Sequence, residues 1–432
     1  MSESRTKATL RAFRHRNYRL FFAGQMVSLV GTWMQSVAQA WLVYRLTGSA
    51  ALLGIVSFAS QFPVFLLAPL GGAVADSYPR RRALIAIQAA SMMLAFPLAV
   101  LTFSNRIQVW EIVVLSILLG VVSAFDIPVR HSFVVEMVGR EDLMNAIALN
   151  SSMMNTARVL GPAIAGVLVA AVGEAWCFLL NGISYLAVIL CLTFITAGNR
   201  AHREQDGSRL AAIAEGFQFV LRHRPVSSLL FLVGLSSLMG TPYMVLMPIF
   251  ADQILKGGAT ELGILMGSSG IGALIGALIL AGRRDVRGLG NWVMLGCGAF
   301  GVSLILFALS RNFWISVLLL LPVGLTMMVQ IASSNTLIQA MVPDQLRGRV
   351  MAVYSMMFMG MMPVGGLLGG FLANRLGAPL TVIAGGVVCI AGAVVFGLRL
   401  PGIRTEGRQL ILAQTMAAGE PPQAEAGELR SP

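Results

Sequence analysis

The composition of this 432-residue chain excludes an ordinary water-soluble protein, because 56% of its residues are hydrophobic and only 12% are charged. Soluble domains carry about 25% charged residues. The formal net charge of +12 does not indicate nucleic-acid binding, since the basic residues are distributed as membrane topology requires. We therefore expect an integral membrane protein with no nucleic-acid partner.

Apolar segments long enough to cross a bilayer as helices recur from one end of the chain to the other. The alternating, turn-punctuated pattern of a membrane β-barrel does not occur in the sequence. The predicted fold is therefore an all-α membrane protein with twelve transmembrane helices. The predicted spans are residues 18–45, 50–75, 83–104, 108–131, 142–172, 174–197, 226–251, 260–281, 289–309, 313–341, 345–375 and 378–400.

The first span carries a stripe of polar residues. At 100° per residue they fall within a sector of roughly 100° on one side of a helix. In hydrocarbon each of these groups needs a partner or water, so the stripe is expected to face a wet cavity or the protein interior. Its glutamines and its threonine are candidate substrate-binding residues, with hydrogen bonding between helices as the alternative. The stripe consists of Gln25, Ser28, Thr32, Gln35, Ser36 and Gln39.

The fourth and fifth spans contain charged residues. Asp126 and Arg130 are spaced i, i+4, which permits an ion pair on one helix face. Arg158 lies inside the fifth span and shares a face with Ser151 and Asn155. An arginine at the centre of a span costs about 2.5–3.5 kcal/mol on insertion scales and usually faces the bundle interior. We interpret Ser151, Asn155 and Arg158 as substrate-binding candidates; a structural arginine bonded to carbonyls or to Asp126 is the alternative.

A polar, basic linker at residues 198–224 separates two blocks of six spans, 1–197 and 225–400. Its second half has the apolar spacing of an amphipathic helix lying on the membrane surface. The tail, residues 401–432, is rich in Gly, Pro, Glu and Gln and is predicted to be disordered.

In the second block, two spans supply further substrate-binding candidates. Gln330, Ser334 and Asn335 lie in the tenth span. Met357 belongs to a methionine-rich stretch of the eleventh, and methionine adapts to varied apolar ligands. For these methionines, ordinary lipid-facing or core packing is the alternative.

The distribution of basic residues predicts the topology. All but six of the 31 lysines and arginines fall in the N-terminus, the C-terminal tail, and the loops and span ends on that same side of the membrane. By the positive-inside rule both termini are cytoplasmic. The six exceptions are Arg45, Arg106, Arg158, Lys256, Arg311 and Arg375.

The loop after the second span, GGAVADSYPRRR at residues 71–82, resembles the signature loop of the major facilitator superfamily. Gly72, Asp76, Arg80 and Arg81 match that signature, whereas Ser77 and Pro79 depart from it. The two blocks also resemble each other at two places in the same order, which together indicate a duplicated six-span unit. The segment from His15 parallels the one from His223, and the segment from Gly139 parallels the one from Val342. The stretch from Phe13 to Asp76 is similar to the enterobactin-exporter branch, with macrolide-efflux proteins as neighbours.

The resemblance implies two pseudo-symmetric six-helix bundles with a substrate site between them. It also implies that Gly72, Asp76, Arg80, Arg81, Asp126 and Arg130 form a gating latch at the cytoplasmic end. The expected function is secondary export of an amphiphilic, siderophore-like small molecule by alternating access, coupled to protons, by a monomer in the cytoplasmic (inner) membrane. No cofactor or metal is expected. A multidrug or macrolide efflux pump is the main alternative. An importer is a weaker alternative. A membrane enzyme is another weaker alternative, since the catalytic motifs HExxH and GxSxG are absent from the sequence.

Overall fold

The computed structural model describes residues 11–139, 141–196, 209–283 and 288–417, and these residues are almost entirely helical. A short 3₁₀ turn, Arg11–Arg14, precedes the first helix. The helices of the first half are α1 (Arg16–Thr47), α2 (Ala50–Ser77), α3 (Arg80–Phe103), α4 (Val109–Val138), α5 (Leu143–Val172) and α6 (Glu174–Thr193). The linker helix is α7 (Arg209–Arg222), and the second half contains α8 (Arg224–Gly240), α9 (Pro242–Ile249), α10 (Ala259–Ala281), α11 (Leu289–Leu309), α12 (Phe313–Met341), α13 (Asp344–Ser355), α14 (Met361–Leu376) and α15 (Ala378–Ala417).

The predicted all-α membrane fold is confirmed. Within the described residues, eleven helical segments are long and apolar enough to cross a membrane. To these we add α1, which has 32 residues and is about 48 Å long at 1.5 Å per residue. The polar stripe of α1 lowers its hydropathy, and this helix packs against α5 and α6 inside the bundle.

Two of the second-half spans are interrupted. The seventh breaks at Thr241, between α8 and α9, because Pro242 has no N–H to continue the helical hydrogen bonding, and it ends in a π-helical turn, Phe250–Ile254. The eleventh contains a π-helical turn, Met356–Gly360, between α13 and α14. Such turns within helices are frequent at functional sites.

The two halves are in close contact at one end of the bundle. We call the end where α1 begins the terminal end, and the opposite one the far end. Near the far end, a Cβ on Gly54 of α2 would lie 2.8 Å from the carbonyl oxygen of Gly366 on α14. On the other side of the bundle, a Cβ on Gly263 of α10 would lie 2.9 Å from the Cα of Gly166 on α5. The backbones of the two halves therefore come into contact at glycines, which have no side chain to keep them apart.

The linker and the tail differ in part from expectation. Residues 198–208 lie outside the described residues, but α7 packs on α13, where Glu215 forms an ion pair with Arg349. The predicted boundary at residue 400 falls inside α15, which continues to Ala417. Ile403 and Leu410 pack against the core, and Gly407 faces Met341, so this stretch has an apolar surface to bury and stays helical. Residues 418–432 lie outside the described residues.

Candidate functional site

A cavity of about 550 Å³ lies between the two halves. Helices α1, α2, α4 and α5 form one wall, and α9, α10, α12 and the region around α14 form the other. Its volume lies within the range of roughly 300–1,000 Å³ that is typical of small-molecule sites. The cavity therefore lies where the duplicated architecture was expected to place a substrate.

The wall from the first half contains most of the polar residues that line the cavity. Thr32 and Ser36 of α1 are exposed, and because they belong to the lining, their exposure is toward the cavity. Neighbouring helices add serine hydroxyls and one further glutamine. The polar residues of this wall are Thr32, Gln35, Ser36, Gln39, Ser57, Ser60, Gln61, Ser123 and Arg158.

Arg158 on α5 is the one charged residue among the described residues that line the cavity. In the described part of the chain it takes part in no ion pair, and its buried Nε has no hydrogen-bond partner. The guanidinium carbon lies 5.3 Å from the ring centroid of Trp33, a cation–π distance. Gly161, one turn along α5, leaves room for Trp33 to pack there. Arg158 thus presents a cation to the cavity, and no described residue supplies a counterion to it.

Thr32 and Gln35 are tied to α6 as well as to the cavity. The side-chain oxygen of Gln35 accepts a hydrogen bond of 2.7 Å from Asn181 Nδ2. Asn181 also donates to the hydroxyl of Tyr185 at 3.3 Å, and Tyr185 lies 3.5 Å from the hydroxyl of Thr32. Gln39 donates to Ser116 of α4 at 2.8 Å. These contacts between helices fix the polar stripe of α1 in its orientation.

Seven predicted substrate-binding residues lie outside the cavity wall, so their role in binding stays a prediction. Gln25 is buried. Ser151 is exposed, and its carbonyl accepts a hydrogen bond from Asn155. Asn155 is half-buried.

The other four belong to the second half. Gln330 is fully buried and donates to Ser236 at 2.9 Å. Ser334 donates to the Gln330 carbonyl, and Asn335 accepts from Gln339. Met357 packs beside Gly234.

The sequence interpretation missed several residues of the wall. Gln61 and Ser60 lie on α2, where an isolated glutamine in an apolar span was the available signal. Tyr243 follows the break in the seventh span, and its hydroxyl lies 2.9 Å from the hydroxyl of Ser269. The helix break at Thr241 sets the direction of Tyr243. The sequence predicts one continuous helix over residues 226–251 and therefore does not place Tyr243 in the cavity wall.

At the terminal end, the predicted latch residues are only partly described. The surroundings of Gly72 and the side chain of Asp76 lie outside what the structure describes. Arg80 contacts Glu136 at 3.6 Å. Arg81 donates to the carbonyls of Leu192 and Thr193 at the end of α6.

The other two latch residues are on α4. Asp126 and Arg130 form an ion pair of 3.1 Å, and Gln88 of α3 donates to Asp126 at 3.0 Å. All these described contacts lie within the first half. A latch between the halves stays a prediction.

At the far end, polar contacts connect α1 to two neighbours. Arg45 holds Glu174 of α6 through two hydrogen bonds of 2.8 and 3.2 Å. Tyr44 donates to Asp252, which follows α9. The first contact lies within one half, whereas the second joins the two halves.

The sequence also matches known protein families. A family model described as transmembrane secretion effector matches residues 7–419. The staphyloferrin A transporter of Staphylococcus aureus (strain NCTC 8325 / PS 47) is 29% identical over 385 residues, covering 88% of this chain and 95% of that protein. The enterobactin exporter EntS of Shigella boydii serotype 4 (strain Sb227) is 25% identical, covering 90% and 91%. Macrolide efflux protein A of Streptococcus pyogenes is 23% identical, covering 88% and 96%.

Solved structures share the fold. The nucleoside transporter NupG superposes with a TM-score of 0.71 at 13% identity, covering 89% of this chain and 99% of that one. A POT family transporter in complex with 5-aminolevulinic acid gives a TM-score of 0.73 at 12% identity, covering 90% and 96%. At these identities the likeness concerns the fold alone.

Proposed function

Since the chain belongs to the transmembrane secretion effector family of the major facilitator superfamily, we propose that it exports an amphiphilic, anionic small molecule by alternating access. Members of this family and the relatives above are multi-pass membrane transporters of small molecules and not enzymes. The observation that carries the proposal is the isolated cation of Arg158 in the cavity between the halves.

The physical argument starts from the cost of a buried charge. A half-buried arginine without a counterion among the described residues loses part of its hydration, and the ring of Trp33 offsets only some of that loss. An anionic group of the substrate would supply the missing partner, and a carboxylate or catecholate matches the guanidinium fork with two hydrogen bonds. A cationic ligand would be repelled. The site thus favours organic anions.

A siderophore-like substrate is our first choice, because two relatives are named for staphyloferrin A and enterobactin. A macrolide or multidrug substrate is the second, favoured by the apolar residues of the opposite wall and by the macrolide efflux relative. The charge of Arg158 separates the two choices, since only the first calls for an anion.

For topology, we propose the inner (cytoplasmic) membrane, with both termini cytoplasmic, from the distribution of basic residues. The far end is then extracellular. The glycine contacts there close the cavity on the outside, which corresponds to an inward-facing state. We further propose that the protein acts as a monomer and is coupled to protons, with Asp126 as the first candidate to carry them because it is the acidic residue deepest in a span.

Binding to purified protein in lipid nanodiscs tests the proposal. The ligands are an anionic catecholate siderophore, a macrolide and a cationic dye, each measured with wild type, Arg158→Ala and the matched control Arg106→Ala. Arg106 is an exposed arginine in the loop after α3. We expect only the siderophore to bind wild type, and only Arg158→Ala to weaken it, by more than tenfold. Equal binding of the macrolide or the dye to all three proteins would instead indicate a multidrug exporter with a structural Arg158.

A further inference from the structure

The two walls of the cavity differ in chemistry. Whereas the first-half wall carries hydroxyls, amides and Arg158, the second-half wall is built largely from apolar side chains. Four different helices each contribute methionine to it, and all of these side chains are half-buried. We call this set the methionine wall; it consists of Met244 (α9), Met266 (α10), Met327 and Met328 (α12) and Met362 (α14).

The properties of methionine suit a surface that must fit more than one shape. Its side chain is unbranched, has three rotatable bonds and ends in a polarizable thioether. It therefore repacks around an apolar ligand at a lower cost than a β-branched residue. Five methionines from four helices are not the product of one helical repeat, and each of them lines the cavity that also contains Arg158.

The two walls meet close to Arg158. Gly270 of α10 lies against Arg158, since a Cβ there would be 3.3 Å from the Arg158 carbonyl oxygen. Met266 precedes Gly270 by one helical turn, so the two residues share a face of α10. Arg158 and Met266 also line the same cavity, so a ligand held at Arg158 shares that space with the start of the methionine wall. An amphiphile placed with its anion on Arg158 would extend its apolar part over that wall.

We propose that the methionine wall is a subsite for the apolar part of the transported anion. The first half then sets the requirement for negative charge, and the second half sets the tolerance for the size and shape of the apolar part. This inference rests on the proposed function, because it takes the anion to bind at Arg158. It assigns the specificity for the apolar part to residues on the opposite half of the protein.

A homologous series of ligands tests the division. We would measure binding of benzoate and of 4-ethyl-, 4-butyl- and 4-hexylbenzoate to the full chain in nanodiscs, with empty nanodiscs as the control for partition into lipid. In wild type, affinity should rise about threefold to fourfold for each buried methylene. The variants Met266→Gln and Met327→Gln keep the length of the side chain but make it polar. They should reduce this rise, so that 4-hexylbenzoate loses more affinity relative to wild type than benzoate does.

Conservative variants and Arg158 separate the outcomes. Met266→Leu and Met327→Leu should retain the rise with chain length, because they keep the wall apolar. Arg158→Ala should weaken every member of the series by a similar factor. If the glutamine variants keep the full rise while Arg158→Ala still weakens all ligands, the subsite is refuted and the proposed function stands. If Arg158→Ala changes nothing, the proposed function and the orientation fail together. Thermal unfolding of each variant establishes that it is folded.

Discussion

Tyr44 on α1 donates a hydrogen bond across the interface between the halves to the carboxylate of Asp252. The adjacent residue, Arg45, binds Glu174 of its own half with a bidentate contact. The end of α1 is therefore attached to both halves by consecutive residues. Opening of the far end has to break the Tyr44 contact, whereas the Arg45 contact moves with the first half as a rigid unit.

The first prediction concerns Tyr44→Phe. The substitution removes the hydroxyl and leaves the ring in place, so the far-end-closed state loses one hydrogen bond to a charged acceptor, worth about 1.5–3 kcal/mol. The population of far-end-open molecules should rise roughly 10- to 100-fold. Electron–electron double resonance between spin labels at Arg106 and Arg375, both exposed at the far end, measures the two populations after the native cysteines have been replaced. An unchanged distance distribution would show that the contact does not hold the far end closed.

The glycine contacts lead to a second prediction. A Cβ on Gly263 would lie 2.5 Å from the Pro162 carbonyl oxygen, whereas a Cβ on Gly267, one turn further along α10, has its nearest neighbour at 3.9 Å. Gly263→Ala should therefore separate α5 from α10 and favour the far-end-open state. Gly267→Ala adds the same methyl group in open space and is the matched control.

The same spin-label pair gives the readout. We expect the long-distance population to increase in Gly263→Ala and to match wild type in Gly267→Ala. A comparable increase in both variants would mean that helix propensity, and not the steric contact, shifts the equilibrium, since alanine stabilises a helix interior by up to about 1 kcal/mol relative to glycine.

Much of the fold could be predicted from the sequence, because hydropathy fixes where a chain crosses a membrane and glycines mark close helix contacts. The polar stripe of α1 correctly indicated an interior orientation, and Thr32, Gln35 and Gln39 do line the cavity. Of the second-half wall, the sequence indicated only the methionine-rich stretch of the eleventh span, from which Met362 lines the cavity and Met357 does not. The methionines of α9, α10 and α12 lie in ordinary apolar spans and were not predicted. Which of them meet depends on how four helices pack, and a single sequence does not contain that information.

Gln330 provides a third prediction, because its position separates a structural from a binding role. It is fully buried, donates to Ser236, and leaves its own side-chain oxygen without a partner. Ser236 also donates to the Leu232 carbonyl, so it keeps a hydrogen bond when Gln330 is replaced. Gln330 also donates to the Leu232 carbonyl at 3.4 Å. Gln330→Met therefore removes two hydrogen bonds, one of them long, together with one buried orphan oxygen, and the loss and the gain are of similar size, about 1 kcal/mol or more each.

We therefore expect Gln330→Met to leave both the melting temperature and the ligand affinity close to wild type. Gln39→Met is the contrasting variant, because Gln39 lies in the cavity wall, and it should weaken binding of the siderophore. The measurements are thermal unfolding and titration calorimetry on the same samples. A tenfold loss of affinity in Gln330→Met would restore Gln330 as a substrate-binding residue.

The fourth prediction separates two roles of Arg81, as a latch between the halves and as a helix cap. Its guanidinium donates 2.7 and 2.6 Å hydrogen bonds to the carbonyls of Leu192 and Thr193 in the last turn of α6. The Leu192 carbonyl also accepts from the Ile195 N–H at 3.3 Å, so the Thr193 carbonyl depends more on Arg81. A cation there also interacts favourably with the negative end of the helix dipole. Arg81→Ala should thus destabilise the protein by about 1–3 kcal/mol. Arg82→Ala, which removes a neighbouring exposed arginine, should not.

A cap and a latch predict different combinations of results for Arg81→Ala. Loss of a cap lowers the melting temperature and leaves the spin-label distances between the halves unchanged, because α6 belongs entirely to the first half. Loss of a latch changes those distances, because a latch stabilises only one of the two conformations and its removal shifts the population toward the other. We expect the first combination. A shifted distance distribution at an unchanged melting temperature would instead assign Arg81 to the gate.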